Sequence, residues 1–275
     1  EMSHSELRYC DIAYAQTGIT LDNAELVAEN NSIHNCAIGI SANHYGFVQM
    51  SPAFINNEIY HCTYGLSFNG DNWMELLGNV IYENDIGVFV STSSPLFHQN
   101  RIENNFKEGV YCVERANPRF GDIVKEDRGY NIIRYNGSEE SAQIYARDAY
   151  PFLGNIYEAV EEGGYNSIIS SNEHQPLVKT EEGHGELHAQ NNWWGNYPPR
   201  ETQFQSDGNI EIRYEPALEY DPNQQKANTV KFSRSEILTN AIDIEGTGGS
   251  GGQFTLTPEQ KMLRKAIGFR GERKY

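Results

Sequence analysis

No stretch of the 275-residue chain approaches the roughly 20 consecutive apolar residues that a membrane-spanning helix needs. No apolar stretch follows the opening Glu1-Met2-Ser3-His4 either, so no signal peptide stands in this segment. An exported protein is then expected as a mature form or a fragment. Cysteine is scarce: Cys10, Cys36, Cys62 and Cys112 are too few for a disulfide scaffold of this size. Basic residues are also short, 21 against 38 acidic ones, for a formal charge of −17. That balance excludes a nucleic-acid groove, which concentrates Lys and Arg against phosphates. Basic residues do gather near the end, at Lys261, Arg264, Lys265, Arg270, Arg273 and Lys274, so a basic tail follows an acidic body and suits acidic partners, copies of that body included. Apolar residues make up only 38% of the chain, yet 12% aromatics and 25 glycines fit neither a disordered chain nor a helical one. Many short strands and tight corners fit.

A repeat is present. Asn31-Ser32-Ile33, Asn57-Glu58-Ile59, Asn79-Val80-Ile81 and Asn100-Arg101-Ile102 recur at intervals of 26, 22 and 21 residues. A glycine follows each isoleucine, at Gly39, Gly65, Gly87 and Gly109, and Cys10-Asp11-Ile12 leads to Gly18 in the same way. The flanking triplets Ile19-Thr20-Leu21, Leu66-Ser67-Phe68, Val88-Phe89-Val90 and Val110-Tyr111-Cys112 alternate with the period of a strand. Stacked turns would place Ile12, Ile33, Ile59, Ile81 and Ile102 in one column, which contributes on the order of 10 kcal/mol by burial. A second column, Ala15, Cys36, Cys62, Asn84 and Asn105, suits a corner where stacked amides bond along the axis. The recurring glycine is expected to supply backbone angles forbidden to other residues. Gly129-Tyr130-Asn131-Ile132-Ile133 and Gly164-Tyr165-Asn166-Ser167-Ile168 carry the pattern on, with charged loops near 114–128, 137–152 and 158–163.

The N-x-I…G-I cadence and the closing Asn191-Asn192-Trp193-Trp194-Gly195 resemble right-handed β-helix repeat proteins of bacterial surfaces and periplasm, in the broad pectate-lyase-like superfamily. That superfamily includes an accessory β-helix protein of nitrous-oxide reductase maturation. The resemblance covers about 6–200 and implies an all-β, right-handed parallel β-helix (a solenoid), entered partway, in an extracellular, cell-surface or periplasmic setting. Regular rungs are expected over 6–113 and looped rungs over 114–200, the coil taking in 1–200. An extended arm would follow over 201–245, with Asn209–Tyr214 able to form a last strand. A Gly-rich linker spans 246–252. The tail, 253–275, should hold a short amphipathic helix: Thr257 caps it, Pro258 suits its first position, Gln260 completes a capping box and Gly268 ends it. Leu263, Ala266 and Ile267 share one face, with Lys261 and Arg264 beside it. These five are the expected contacts to a protein partner or another copy of the chain.

The resemblance implies carbohydrate chemistry as one option: lyases, hydrolases and epimerases acting on acidic glycans. Polygalacturonase-like hydrolases combine paired aspartates, a Gly-His-Gly and an Arg-x-Lys; only Gly183-His184-Gly185 matches, so no catalytic residue is assigned. Two charged loops stand out, one with Asp122, Glu126, Asp127 and Arg128, the other with Glu139, Glu140, Arg147 and Asp148. Such loops are ordinarily just solvated. Asp122, Glu126 and Asp127 are the set a cation would use; no cofactor is called for, and Ca2+ is the one ion these carboxylates would suit. Trp73, Tyr111, Tyr130 and Tyr165, with Tyr45, are candidates for a sugar-stacking surface. Trp193 and Trp194 are expected to plug the last rung. Cys36 and Cys62 share a column as stacked thiols, a vertical disulfide or, with His34 and His61 nearby, metal ligands, the thiols being the expected state; Cys112 reads as core.

The expected function is a non-catalytic scaffold, adhesion or assembly subunit holding a partner protein or glycan along the solenoid flank. The alternatives are a polysaccharide lyase, epimerase or hydrolase with its site in the loops at 114–150 and 181–189, and a periplasmic metal-handling accessory.

Overall fold

A computed structural model describes residues 5–44, 53–70, 74–122, 128–157 and 160–224. The chain divides into two units, Glu1–Thr229 and Val230–Tyr275, and every described residue lies in the first. Trp73, Glu126, Asp127 and the tail residues Lys261, Leu263, Arg264, Ala266 and Ile267 lie outside the described residues.

The first unit is a parallel β-solenoid of about 8 turns. Each regular turn supplies three short strands, as in Val27–Glu29, Ser32–His34 and Ile38–His44. Each strand pairs in parallel with its counterpart one turn on, which builds one five-stranded, one seven-stranded and one eight-stranded sheet. A single turn has no partner for its own backbone or apolar face, so stability comes from neighbouring turns.

The isoleucine column lines the seven-stranded sheet. Ile12, Ile33, Ile59, Ile81 and Ile102 are direct register partners, and Ile133 and Ile168 extend the column. From Ile33 to Ile168 every member is fully buried. Leu7, Ala28, Phe54, Leu76 and Phe97 line the five-stranded sheet. Leu21, Ala42, Phe68, Val90, Cys112 and Ala146 line the eight-stranded one, where Cys112 is core.

The corner between the first two sheets takes two residues. One stands in the left-handed region: Tyr9, Asn30, Asn56, Gly78, Gln99, Tyr130, Tyr165 and Asn191 have φ between 50° and 69°. The next residue turns inward, and from Asn31 onward it is always asparagine. In Asn31, Asn57, Asn79, Asn100, Asn131, Asn166 and Asn192, each Nδ2 donates to the Oδ1 of the following one at 2.9–3.1 Å. Each also donates to a main-chain carbonyl of the turn before, as Asn79 does to Phe54 at 2.8 Å. The row ends where Asn192 Nδ2 donates to the carbonyls of Leu153, Ala189 and Gln190. A buried amide has four hydrogen-bonding sites to satisfy, and this arrangement satisfies them without water.

The second corner carries Ala15, Cys36, Cys62, Asn84 and Asn105 in register, joined by Asn136. Asn84 donates to Asn105 at 3.1 Å and Asn105 to Asn136 at 2.8 Å. The glycines play a different part from the one expected. Gly18, Gly39, Gly65, Gly87 and Gly109 do not have positive φ. Space is what excludes a side chain: a Cβ on Gly65 would lie 2.6 Å from the Gly87 carbonyl oxygen and 2.8 Å from Ile81 Cγ2.

The coil also runs past residue 200. Phe204–Ser206 is the last strand of the eight-stranded sheet, and Ile210–Arg213 pairs in parallel with Gly185–His188. The first part of the expected arm, 201–245, thus adds strands to the coil, and residues 225–245 lie outside the described residues. Trp194 is buried under the final turn, edge-on to Phe204 with ring centres 4.9 Å apart, and Phe204 stacks on Tyr214 at 3.9 Å.

Candidate functional site: the outward face of the eight-stranded sheet

Strand alternation sends every second residue of this sheet outward. Thr20, Ser41, Ser67, Phe89, Tyr111, Tyr145, Lys179 and Gln205 are successive register partners in one outward row. Two residues on, a parallel row runs Asp22, Asn43, Asn69, Ser91, Val113, Arg147 and Glu181. Strands about 4.8 Å apart make the face roughly 34 Å long over its eight strands.

Its two halves differ chemically. The first half holds small hydroxyls and amides, with Asn69 Nδ2 donating to Asn43 Oδ1 at 3.2 Å. The second half is aromatic and charged. Tyr111 and Tyr145 stack nearly parallel, ring centres 5.0 Å apart and 7° between planes. Phe89 meets Tyr111 at 77°, and Lys179 Nζ lies 5.2 Å from the Tyr145 ring centre. Both faces of each tyrosine are therefore in contact with neighbours along the row, which leaves edges and phenol ends for solvent.

Around Tyr145 the charges are paired. Its hydroxyl donates to Glu181 Oε2, and Lys179 Nζ meets Glu181 Oε1 at 2.9 Å. Burial, helped by the Glu181 carboxylate, pushes the Tyr145 phenol well above its ordinary range. The phenol and Lys179 in turn hold Glu181 below the usual carboxylate range. Ser91 Oγ donates to Glu114 at 2.6 Å, and a shallow depression lined by Glu173, His174, Arg200, Thr202 and Gln205 adjoins the far end.

The other candidates fall elsewhere. Tyr130 and Tyr165 occupy left-handed corners ahead of Ile132–Arg134 and Ser167–Ile169, so they do not join Tyr111 on one surface. Their rings lie 5.9 Å apart, and Arg128 sits 3.8 Å over Tyr165. The Tyr165 hydroxyl donates to Glu161, and burial with that bond pushes its pKa up to about 12. Asp122 is paired with Arg119 at 2.5 Å. Among the described residues no three His, Cys, Asp or Glu side chains stand close enough to share a metal ion. His34 stacks on Tyr60, 4.9 Å between centres, and pairs with Asp11; His61 pairs with Glu83. Gly183-His184-Gly185 is a loop leading into Gly185–His188, where the His184 N–H donates to the Tyr150 hydroxyl at 3.2 Å.

Phe89, Tyr145, Lys179 and Glu181 are members of the face that sequence reasoning missed. The signal was available for Tyr145: Ile144-Tyr145-Ala146 repeats the apolar-Tyr-small alternation of Val110-Tyr111-Cys112.

The family model described as "Right handed beta helix region" matches residues 1–148. The chain belongs to that family. Neither the curated proteins nor the solved structures contain a match to it. No helix among the described residues is long and apolar enough to cross a membrane.

Proposed function

We propose that this protein is an exported, non-catalytic β-helix subunit that holds an extended glycan along the outward face of its eight-stranded sheet. The observation that carries this reading is the unbroken outward row from Thr20 to Gln205, in which hydroxyls, amides and phenols recur at strand spacing. A polyhydroxylated chain lying along the coil axis would meet a donor or acceptor of this row at every turn but that of Phe89, and many weak contacts in series sum to useful affinity. The tail, through Leu263, Ala266, Ile267, Lys261 and Arg264, is proposed to dock a protein partner or another copy.

The paired groups around Tyr145 favour binding over chemistry. Acid–base catalysis near neutral pH uses groups whose pKa approaches 7. Here the phenol moves up and the carboxylate down, both away from 7.

The test is titration calorimetry with soluble neutral and acidic polysaccharides against the native chain, Tyr111→Ala and Ser67→Tyr. Binding weakened about tenfold by each substitution supports the reading. Absence of heat across a broad panel at millimolar glycan defeats it. Unsaturated or reducing ends appearing in the same mixtures, with or without Ca2+, would instead establish the lyase, epimerase or hydrolase alternative. Copper or zinc bound stoichiometrically to the purified protein would establish the metal-handling one.

A further inference from the structure

Two thiols occupy positions that amides fill in the next turns. Backbone bonds fix the register: Ala37 N–H donates to Ala15 O at 3.2 Å, and Tyr64 N–H to Ala37 O at 3.1 Å, so Cys36 lies directly over Cys62. Both side chains adopt the same pose, each Sγ donating at 3.3 Å to the carbonyl two residues upstream, His34 and Tyr60. The stack continues below into amides, because Asn84 Oδ1 accepts the Cys62 N–H at 2.9 Å. Both cysteines are free and nearly buried, at 6% and 5% exposure. A strand spacing of about 4.8 Å falls within the Cα separation of roughly 4.4–6.8 Å that disulfides span.

We infer that Cys36 and Cys62 are a site of reversible oxidation, closing a disulfide between adjacent turns when the protein meets a small-molecule disulfide. The exchange is balanced: one protein thiolate attacks the reagent and expels one thiol, the second thiolate attacks the mixed disulfide, and a second thiol leaves. Two electrons pass from the cysteine pair to the reagent, and two protons move to the released thiols. The bond would lock two turns at a corner where no amide ladder runs. Cys112, wholly buried and in another sheet, and Cys10, at the head of the asparagine row, have no cysteine in register with them. The inference does not depend on the glycan reading.

The experiment equilibrates the folded full chain in mixtures of reduced and oxidised glutathione, then blocks remaining thiols and maps peptides by mass. Burial pushes the Cys62 thiol up to about 11, so exchange at neutral pH is expected over hours. The expected product is two mass units lighter, yields one cross-linked peptide pair, Cys36 with Cys62, and shows a melting temperature raised by about 5–10 °C. Cys36→Ala, which copies Ala15 of the same column, should retain its fold by circular dichroism and lose both effects. Glutathione left on a single cysteine, a bridge that includes Cys10 or Cys112, or no bridge in chain that stays folded under full oxidation would each overturn the inference. A bridge that forms only in denaturant would overturn it as well.

Discussion

Asn100 donates its Nδ2 hydrogen to the Oδ1 of Asn131 at 3.1 Å although 31 residues separate them, the same contact that Asn79 makes with Asn100 across 21. Ten extra residues have been extruded without moving the corner. The amide row therefore keeps its spacing whatever the length of the loop between its members.

Asn79 makes four bonds within that row: it donates to Phe54 O and Asn100 Oδ1 and accepts from the N–H and Nδ2 of Asn57. Asn79→Ala removes all four in a dry corner and leaves the Asn57 N–H without its acceptor, although Asn100 Oδ1 keeps the Asn79 main-chain N–H at 3.0 Å. A loss of about 3–5 kcal/mol is expected by denaturant titration, well beyond the roughly 1 kcal/mol of a single exposed hydrogen bond.

Gly65→Ala is expected to be at least as damaging. Its Cβ would press on the Gly87 carbonyl at 2.6 Å, and backbone locked in a sheet cannot yield. Gly208→Ala makes the comparison: φ there is 95° with nothing within 4 Å of the new atom, so only local strain of about 1–2 kcal/mol is incurred. Thermal melts of the two variants should rank in that order.

Acid stability should depend on Tyr145. Glu181 is held below its ordinary range by the Tyr145 phenol and Lys179, so its contribution is complete above pH 4.5 and is lost as pH falls through the lowered folded value. In the alkaline range the sign reverses: the raised Tyr145 phenol stabilises below pH 10 and ceases to do so as pH climbs through its folded value. Tyr145→Phe should flatten both limbs of a plot of denaturation midpoint against pH and leave the neutral plateau nearly level.

Removal of residues 253–275 should abolish association with partner or sister chains in light scattering and leave the melting temperature of the coil within about 1 °C. A truncated chain that assembles like the native one would count against the tail as a docking element.

The coil is legible in the sequence because its determinants are local and repeated. Each turn states its own isoleucine, asparagine and glycine, so alignment of a few segments yields the column from Ile12 to Ile102 and its extension through Ile133 and Ile168. The glycines are visible but their reason is not: a close approach to the next turn involves residues 22 or 26 positions away, whereas a backbone angle is a local guess. The asparagine row was aligned in sequence, yet its bonding is legible only once the turns are stacked. The face is half legible. Tyr111 follows from alternation, but Tyr130 and Tyr165 carry the same residue type at left-handed corners, and composition alone cannot tell an outward strand position from a turn. Lys179 and Glu181 lie beyond enlarged loops, where counting by turns loses its frame.

Main-chain bonds from turn to turn hold neighbouring turns at one spacing, and the close fit at Gly39, Gly65 and Gly87 admits no side chain between them. The outward rows thus behave as a ruler graduated by main-chain geometry, so exchanging side chains along them can change what is grasped without altering the spacing at which it is measured.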